Sequence, residues 1–446
     1  MRKFGIAIVL LLIVGAIAYK FWPKRQVPPP VADQATFRRM PLGPVVGFVD
    51  ANGAHEWLGL PFAAPPVGDL RWKAPRPPQP WTDVRQALAI GNMCVQFPSL
   101  LSGAARNSKS AAPVGHEDCL YLNIFAPPFA PGSVPIADKV RPVMFWIHGG
   151  GNSIGHGGSY NGSRLVTQHG VVVVTINYRL GPFGWFAHPA LRSDTATAED
   201  NSGNYGLLDS IAALHWVRDN ISVFGGDPNN ITIFGESAGG ADVLALLASP
   251  LAKGLFQRAI VESGGMFIRS RSVAENYHDD ATSPGHEFSG RESVNRLLVN
   301  EGKAPNAAAA KALQNVMSND ELRTLLMNTK AADIMTLYGG GSFGMIDAPE
   351  LFSDGVVLPH NVDPATVFSD PTKYNAVPVM LGTNRDEIAL FMVRDPRWVE
   401  NRLWIFPHLK DEAAYLREVR YQTDAWRLDG VDNIAAAMVH SQPGQV

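Results

Sequence analysis

The segment Ile233-Phe234-Gly235-Glu236-Ser237-Ala238-Gly239-Gly240 sets a serine between two glycines, after an apolar run and before a helix-forming stretch. A serine alcohol is a weak nucleophile until its geometry and surroundings change. On a sharp strand-to-helix turn the hydroxyl is pushed out for attack, and small residues at Gly235 and Gly239 leave room for the turn. The helix N-terminus beyond it supplies N–H groups and a favourable dipole for developing negative charge. A second glycine cluster, Trp146-Ile147-His148-Gly149-Gly150-Gly151, also comes after an apolar run. Glycines without Cβ atoms can present consecutive N–H groups to an oxyanion. A phosphate-cradling loop would need a Lys-Ser/Thr pair, and none is present after the glycines. The two clusters together point to acyl transfer.

The elements that must position them are legible as an alternation. Val143–Ile147, Val171–Ile176 and Ile231–Phe234 are short, continuous apolar runs, as expected of strands covered on both faces of a parallel sheet. Ile211, Leu214 and Val217 recur at helical spacing between the last two, and a second helix is expected after Ser237, packing Ala241, Val243, Leu244, Leu247 and Ala248 before Pro250. Ala259-Ile260-Val261 then reads as a strand, which makes a repeated βαβ pattern. The fold class is α/β: a large, mostly parallel central sheet with helices on both faces. Residues 270–345 are more polar, with a loop over Ser270–Arg291 and helix over Ala304–Thr329, and read as a helical insertion capping the sheet. Val377–Gly382 resumes a buried strand, and Trp398–Leu428 reads as mainly helical.

The chain has 446 residues with 38 basic against 41 acidic side chains, a formal net charge of −3. No run of like charge offers a field for nucleic acid, and partners of that class are excluded. Met1-Arg2-Lys3 precedes an uncharged, mostly apolar stretch from Phe4 to Tyr19. This is read as a membrane anchor, with a signal peptide cleaved near Ala16-Ile17-Ala18 as the alternative. Residues 1–25 are therefore addressing information and 26–39 a proline-bearing linker, with the catalytic domain over 40–446. Both readings place that domain outside the cytoplasm. The two cysteines, Cys94 and Cys119, are there expected to form a disulfide; metal binding and free thiols are the alternatives. No cofactor or metal is called for by any motif.

Taken jointly, these motifs resemble the type-B carboxylesterases, the α/β-hydrolases that include the cholinesterases. The resemblance is carried further by Leu60-Pro61-Phe62-Ala63, Leu70-Arg71-Trp72, Glu117-Asp118-Cys119-Leu120-Tyr121-Leu122-Asn123, Asn177-Tyr178-Arg179, Ser202-Gly203-Asn204, Asp209 and Phe224-Gly225-Gly226-Asp227-Pro228. It implies an α/β-hydrolase fold and hydrolysis of a small carboxylic ester through an acyl-enzyme. Ser237 would be the nucleophile, Glu387 the acid of the triad, and the N–H groups of Gly150, Gly151 and Ala238 the oxyanion hole. Glu236 and Ser263 would support the triad, and Cys94 would pair with Cys119. Between the cysteines the only aromatic is Phe97, where cholinesterases hold a quaternary ammonium on a tryptophan, so esters of uncharged alcohols are expected.

The departure lies after Glu387. Only His408 and His440 come later in the chain, and neither sits in the family's Gly-x-x-His-x-x-Glu setting. Ser441–Val446 resembles the lead-in to a further strand, so the resemblance implies that the catalytic histidine and the last part of the fold fall outside this chain. His440 as a substitute base is the alternative. The competing class is an inert binding or adhesion-type member of the same fold, against which Ser237, the glycine triplet and Glu387 all argue.

Overall fold

Each apolar run forms a strand because it can be covered on both sides. Val172–Ile176 is buried at every residue, and Val143, Phe145, Trp146 and Ile147 of Arg141–Ile147 and Ile231 and Ile233 of Gly226–Glu236 are buried with it. The computed structural model describes residues 28–102, 112–360, 362–393, 395–402 and 406–446. The anchor or signal segment falls outside the described residues. Met1–Val31 is a unit of its own, and the hydrolase-like unit is Ala32–Val446.

The main sheet of that unit holds β1 (Phe48–Val49), β2 (His55–Pro61), β3 (Tyr121–Ala126), β4 (Arg141–Ile147), β5 (Val172–Ile176), β6 (Gly226–Glu236), β7 (Arg258–Glu262) and β8 (Val379–Gly382). Their spatial order is β8-β7-β6-β4-β5-β3-β2-β1. From β5 through β4, β6 and β7 to β8 all neighbours are parallel, whereas β3, β2 and β1 extend the sheet antiparallel. The strand, helix, strand order read from sequence is present as α1 (Tyr205–Asn220) before β6 and α2 (Ala238–Ala248) after it. Helix α2 is buried at every position from Gly239 on, the signature of a helix enclosed by protein on all sides.

Residues 270–345 are helical, as the insertion reading expects, but in pieces: α3 (Gly290–Asn300), α4 (Ala307–Val316), α5 (Asn319–Asn328) and α6 (Ala331–Thr336), with a short helical turn at Arg271–Glu275. The stretch expected to be helical, Ala304–Thr329, is so in two helices because Ser318 caps a new N-terminus. Its hydroxyl accepts from the Glu321 N–H, and the Glu321 carboxylate reaches back to Ser318, a reciprocal capping box. Arg71 then ties the insertion down. Its guanidinium is held bidentate by Glu117 at 2.6 Å on both oxygens, and its remaining nitrogen donates to the carbonyls of Leu326, Met327 and Thr329 at the C-terminus of α5. A cation there satisfies carbonyls that the helix leaves orphaned.

One expectation is refined and one corrected. Trp398–Leu428 is mainly helical through α7 (Glu412–Arg427), as expected, but Val399–Arg402 (β9) and Phe406–Leu409 (β10) form an antiparallel hairpin before it. The folded domain also begins before residue 40, since Thr36 is fully buried, its carbonyl accepting from the Trp57 indole and its hydroxyl from the Gly47 N–H. After α8 (Asn433–Ser441) the chain runs beside the open side of β8, where the Val379 N–H donates to the Gln445 carbonyl at 2.8 Å.

Arg179 and Asp209, both in motifs noted above, form an ion pair sealed inside the core. The guanidinium reaches both carboxylate oxygens at 2.8 and 2.7 Å, and the Arg179 N–H adds a third bond. Side-chain exposures of 3% and 0% leave neither charge any water to fall back on. We expect Asp209→Ala to lower stability by about 3–5 kcal/mol, because it strands a buried guanidinium. Urea unfolding monitored by near-UV circular dichroism reads the loss.

Candidate active site

The parallel register lays the chemistry out in one row. Ile147 pairs with Gly235, Glu236 with Glu262, and Glu262 with Gly382, so β4, β6, β7 and β8 end at a common level. The residues just beyond are His148, Ser237, Ser263 and Thr383. Sites in parallel sheets form here, at the carboxyl ends of strands.

Ser237 leaves β6 with φ 58° and ψ −122°, a conformation a non-glycine residue adopts only when its surroundings hold it. Its N–H donates to the Glu262 carbonyl at 2.8 Å and its carbonyl accepts from Ala241, which fixes the turn from both sides. The flanking glycines are obligatory for steric reasons. A Cβ on Gly235 would stand 2.4 Å from the Gly239 carbonyl oxygen, and one on Gly239 would stand 2.1 Å from that of Ile147. The helix and the neighbouring strand are thus in backbone contact through the two glycine positions that the motif reading singled out.

The second glycine cluster packs directly against this turn. A Cβ on Gly149 would lie 3.1 Å from the Ser237 Cβ and 2.9 Å from a Glu236 carboxylate oxygen. Gly150 and Gly151 then take φ of 111° and 55°, and the turn closes with Ser153 and Ile154 both donating to the Gly150 carbonyl. Among the described residues, the backbone N–H groups of Gly150, Gly151 and Ala238 donate no hydrogen bond. Three unspent donors on this turn and at the start of α2 are groups that negative charge can be offered to.

Glu387 sits in the loop after β8, and one of its oxygens accepts three bonds: from the Ser263 hydroxyl at 2.7 Å, the Thr383 hydroxyl at 2.8 Å and the Asn384 N–H at 2.8 Å. Partial burial alone would raise this carboxyl, but the bonds from Ser263, Asn384 and Thr383 outweigh it and hold it below its ordinary value. Ser263, itself at φ 52°, anchors this arrangement because its N–H donates to the Gly382 carbonyl at 2.7 Å. Glu236 moves the opposite way. Burial raises it first, and the negative charges of Glu387 and Glu262 raise it further.

No histidine of the described residues hydrogen-bonds Glu387 or Ser237. His408 is exposed on β10 and His440 exposed near the end of α8. His148, at the entrance of the glycine turn, is buried, its Nδ1 on the Gly149 carbonyl, its Nε2 without a partner and its ring stacked on Tyr178. Burial pushes it down to about 4, so it is neutral at physiological pH. Cys94 and Cys119 are bonded to each other.

This geometry can be set against proteins already known. The carboxylesterase family model matches residues 34–403. The chain belongs to the carboxylesterase family. A para-nitrobenzyl esterase of Bacillus subtilis (strain 168) is 41% identical over 352 residues, covering 77% of this chain and 61% of that one. Carboxylesterase 1E of Mus musculus is 37% identical over 390 residues, covering 84% and 62%. Among solved structures, a thermophilic PNB esterase superposes with a TM-score of 0.63 at 32% identity, and a Geobacillus stearothermophilus carboxylesterase with 0.65 at 30%. Each superposition covers 91% of this chain, and 78% and 77% of the respective structures. The chain spans about three fifths of the length of the curated relatives it matches. The fold is accordingly that of the carboxylesterase α/β-hydrolases.

Sequence reasoning missed a second set of polar residues behind the glycine turn, Asn152, Asp242 and Glu350, and gave Tyr178, quoted only within a motif, no role there. One signal was available. Asp242 is a lone acid in the apolar run Ala241–Ala248, on the helix that starts at Ser237, where a carboxyl must be buried.

We expect Gly239→Ala to cost more than about 4 kcal/mol or to prevent folding, since its Cβ would meet rigid backbone. Gly132→Ala, with open space around it, serves as the matched control in the same urea series. Ser263→Ala is expected to raise the Glu387 carboxyl by removing the strongest bond that opposes its burial. Carbon-13 titration of labelled glutamate carboxyls, assigned with Glu387→Gln, reads the direction.

Proposed function

We propose that this chain is the core of a serine hydrolase that cleaves carboxylic esters through an acyl-enzyme intermediate. The observation that carries the reading is the strained Ser237 turn, set against a glycine loop whose N–H groups are unspent. In this reading the Ser237 Oγ attacks the ester carbonyl carbon, and the carbonyl oxygen takes the negative charge into the N–H groups of Gly150, Gly151 and Ala238. The hydroxyl proton passes to an imidazole and then to the departing alcohol. Water repeats the sequence on the acyl-serine and frees the acid.

Glu387 is the acid that orients the imidazole. One oxygen is saturated by Ser263, Thr383 and Asn384, which leaves the other to accept the imidazole N–H. Its lowered pKa keeps it anionic, as stabilising an imidazolium requires. Glu236 and Ser263 are supporting residues, the one against the glycine loop and the other beneath Glu387. Because no histidine of the described residues bonds Glu387, we place the base on a histidine outside these residues. The favoured substrates are esters of uncharged alcohols: Phe97, the only aromatic between the cysteines, is buried against Gly340. The Cys94–Cys119 bond supports residence outside the cytoplasm, with the N-terminal segment as anchor or signal. The chemistry needs no cofactor.

The test is turnover of p-nitrophenyl acetate and butyrate by this chain, by Ser237→Ala, and by the chain extended through the next residues of its reading frame. We expect turnover that Ser237→Ala abolishes and that the extension raises about 10²–10⁴-fold, the usual contribution of a positioned general base. If the folded chain and its extension are both inert, the ester-hydrolase reading falls and a binding role on the same fold replaces it.

A further inference from the structure

Behind the glycine turn lies a cluster that the proposed reaction does not use. Asn152, the residue after Gly151, takes φ 44°, and its backbone carbonyl accepts from the Gly181 N–H at 2.7 Å. Its side-chain oxygen accepts from the Tyr178 hydroxyl at 3.1 Å, and the same hydroxyl reaches the His148 carbonyl at 2.6 Å. Asn152 and Tyr178 therefore grip the glycine turn at both ends, His148 before it and Asn152 after it.

The Asn152 side-chain nitrogen faces a buried carboxyl. It donates to Asp242 Oδ1 at 3.2 Å, and the half-buried Glu350 carboxyl lies close enough for its charge to repel that of Asp242. Asp242 comes from α2, five residues after Ser237; Glu350 comes from the segment after the helical insertion. Asp242 is 1% exposed, and its Oδ2 has no partner. Among the described residues no lysine or arginine forms an ion pair with either carboxyl. An enclosed Asp242 with a second carboxyl nearby and no counter-ion can hold the Asn152 amide only while negative charge is kept off it.

We propose that Asp242, with Glu350 near it, holds Asn152 as a protonated carboxyl, and that this carboxyl is the positioning element of the Gly149–Gly151 turn, so that ionising it loosens the oxyanion donors. The inference deepens the ester-hydrolase reading and rests on it for the meaning of the loop, though not for the clamp itself. The titratable groups facing the two carboxyls are Tyr178, with His148 stacked on its ring, Tyr160 beyond it and Asp347 beside Glu350. Burial pushes Asp242 up to about 8, against the bond from Asn152. Glu350 is raised by burial and then by Asp242. Tyr178, fully buried, is raised well above its ordinary value by burial, Asp242 and Glu350, and stays a donor throughout. His148 is already neutral above about pH 4 and adds no titration in the window concerned.

Linkage sets the sign. In the open loop a solvated carboxyl titrates near 4, in the closed loop Asp242 near 8. The closed form therefore binds the extra proton between those values, and its stability declines across that interval and levels off above it.

The test is hydrogen exchange of the peptide spanning 148–154, corrected for intrinsic pH dependence, in the wild-type chain and in Asp242→Asn/Glu350→Gln, which fixes the neutral form. We expect wild-type protection to fall by up to about tenfold per pH unit from pH 5 to pH 8 and then to flatten, with no slope in the double variant. Equal slopes in the two proteins overturn the proposal. Infrared spectroscopy of the wild type supplies the measurement that needs no variant: a protonated carboxylic-acid stretch must persist at pH 7, and its absence also overturns the clamp. Where Ser237-dependent turnover is present, kcat should decline over the basic limb in the wild type but not in the double variant, with KM unchanged in both. Absence of Ser237-dependent turnover in both the chain and its extension sinks the hydrolase reading alone, since exchange and infrared report on the clamp without it.

Discussion

The backbone of Ser237 is the constraint on which the rest of the structure depends. A residue with a Cβ held at φ 58° costs on the order of 1–3 kcal/mol, and it persists only where neighbours over-determine it. Here the Glu262 carbonyl takes its N–H, α2 starts on its C-terminal side, and Gly235 and Gly239 allow helix and strand backbones to touch. The burial of α2 on all sides is the counterpart of that strain. A helix that could slide by a fraction of an ångström would let the turn relax, and the serine would withdraw into an ordinary conformation.

A second consequence concerns the acids at the strand ends. Glu236 and Glu387 lie close enough to repel each other, yet they are driven in opposite directions. Hydrogen bonds from Ser263, Thr383 and Asn384 hold Glu387 down, whereas burial dominates Glu236 and raises it. Divergent environments around neighbouring carboxyls are how one site assigns different protonation states to identical groups. Ser263 does much of this sorting, joining the end of β7 to the loop after β8 through its N–H and its hydroxyl at once.

What could be read from the sequence was whatever depends on local chemistry or short-period patterning. The buried parallel strands announced themselves as unbroken apolar runs, and the two glycine clusters as backbone positions needing space. The antiparallel flank escaped, because Trp57, Leu60 and the polar residues among them lack the continuous run that marks a strand covered on both faces. The β9–β10 hairpin escaped for the same reason: its strands are four residues each without such a run, and Trp398 and Leu409 pack with Tyr415 in a small separate cluster. Ser318 split a helix that composition alone would have continued, since a capping box outweighs a run of helix formers. At the site, single residues in known motifs were visible, but Asn152, Tyr178, Asp242 and Glu350 come from four separate stretches, and only the folded chain brings them together.

That hidden layer answers a requirement the visible motif creates. Backbone N–H groups left unbonded at a partly enclosed site are costly, each forgoing a bond worth on the order of 1–3 kcal/mol. A glycine-rich loop has little of its own to oppose the resulting drift, because the freedom that lets Gly150 and Gly151 adopt positive φ also lets them leave it. The restraint must come from side chains outside the triplet, and it must be polar, since the groups to be held are carbonyls. Tyr178 on the His148 carbonyl and Asn152 under the exit of the turn meet that need. The Ile154 and Ser153 N–H groups, both on the Gly150 carbonyl, complete it from within the loop. The donors for an oxyanion are thus positioned before any substrate arrives, and the cost of leaving them open is carried by buried polar contacts one layer below.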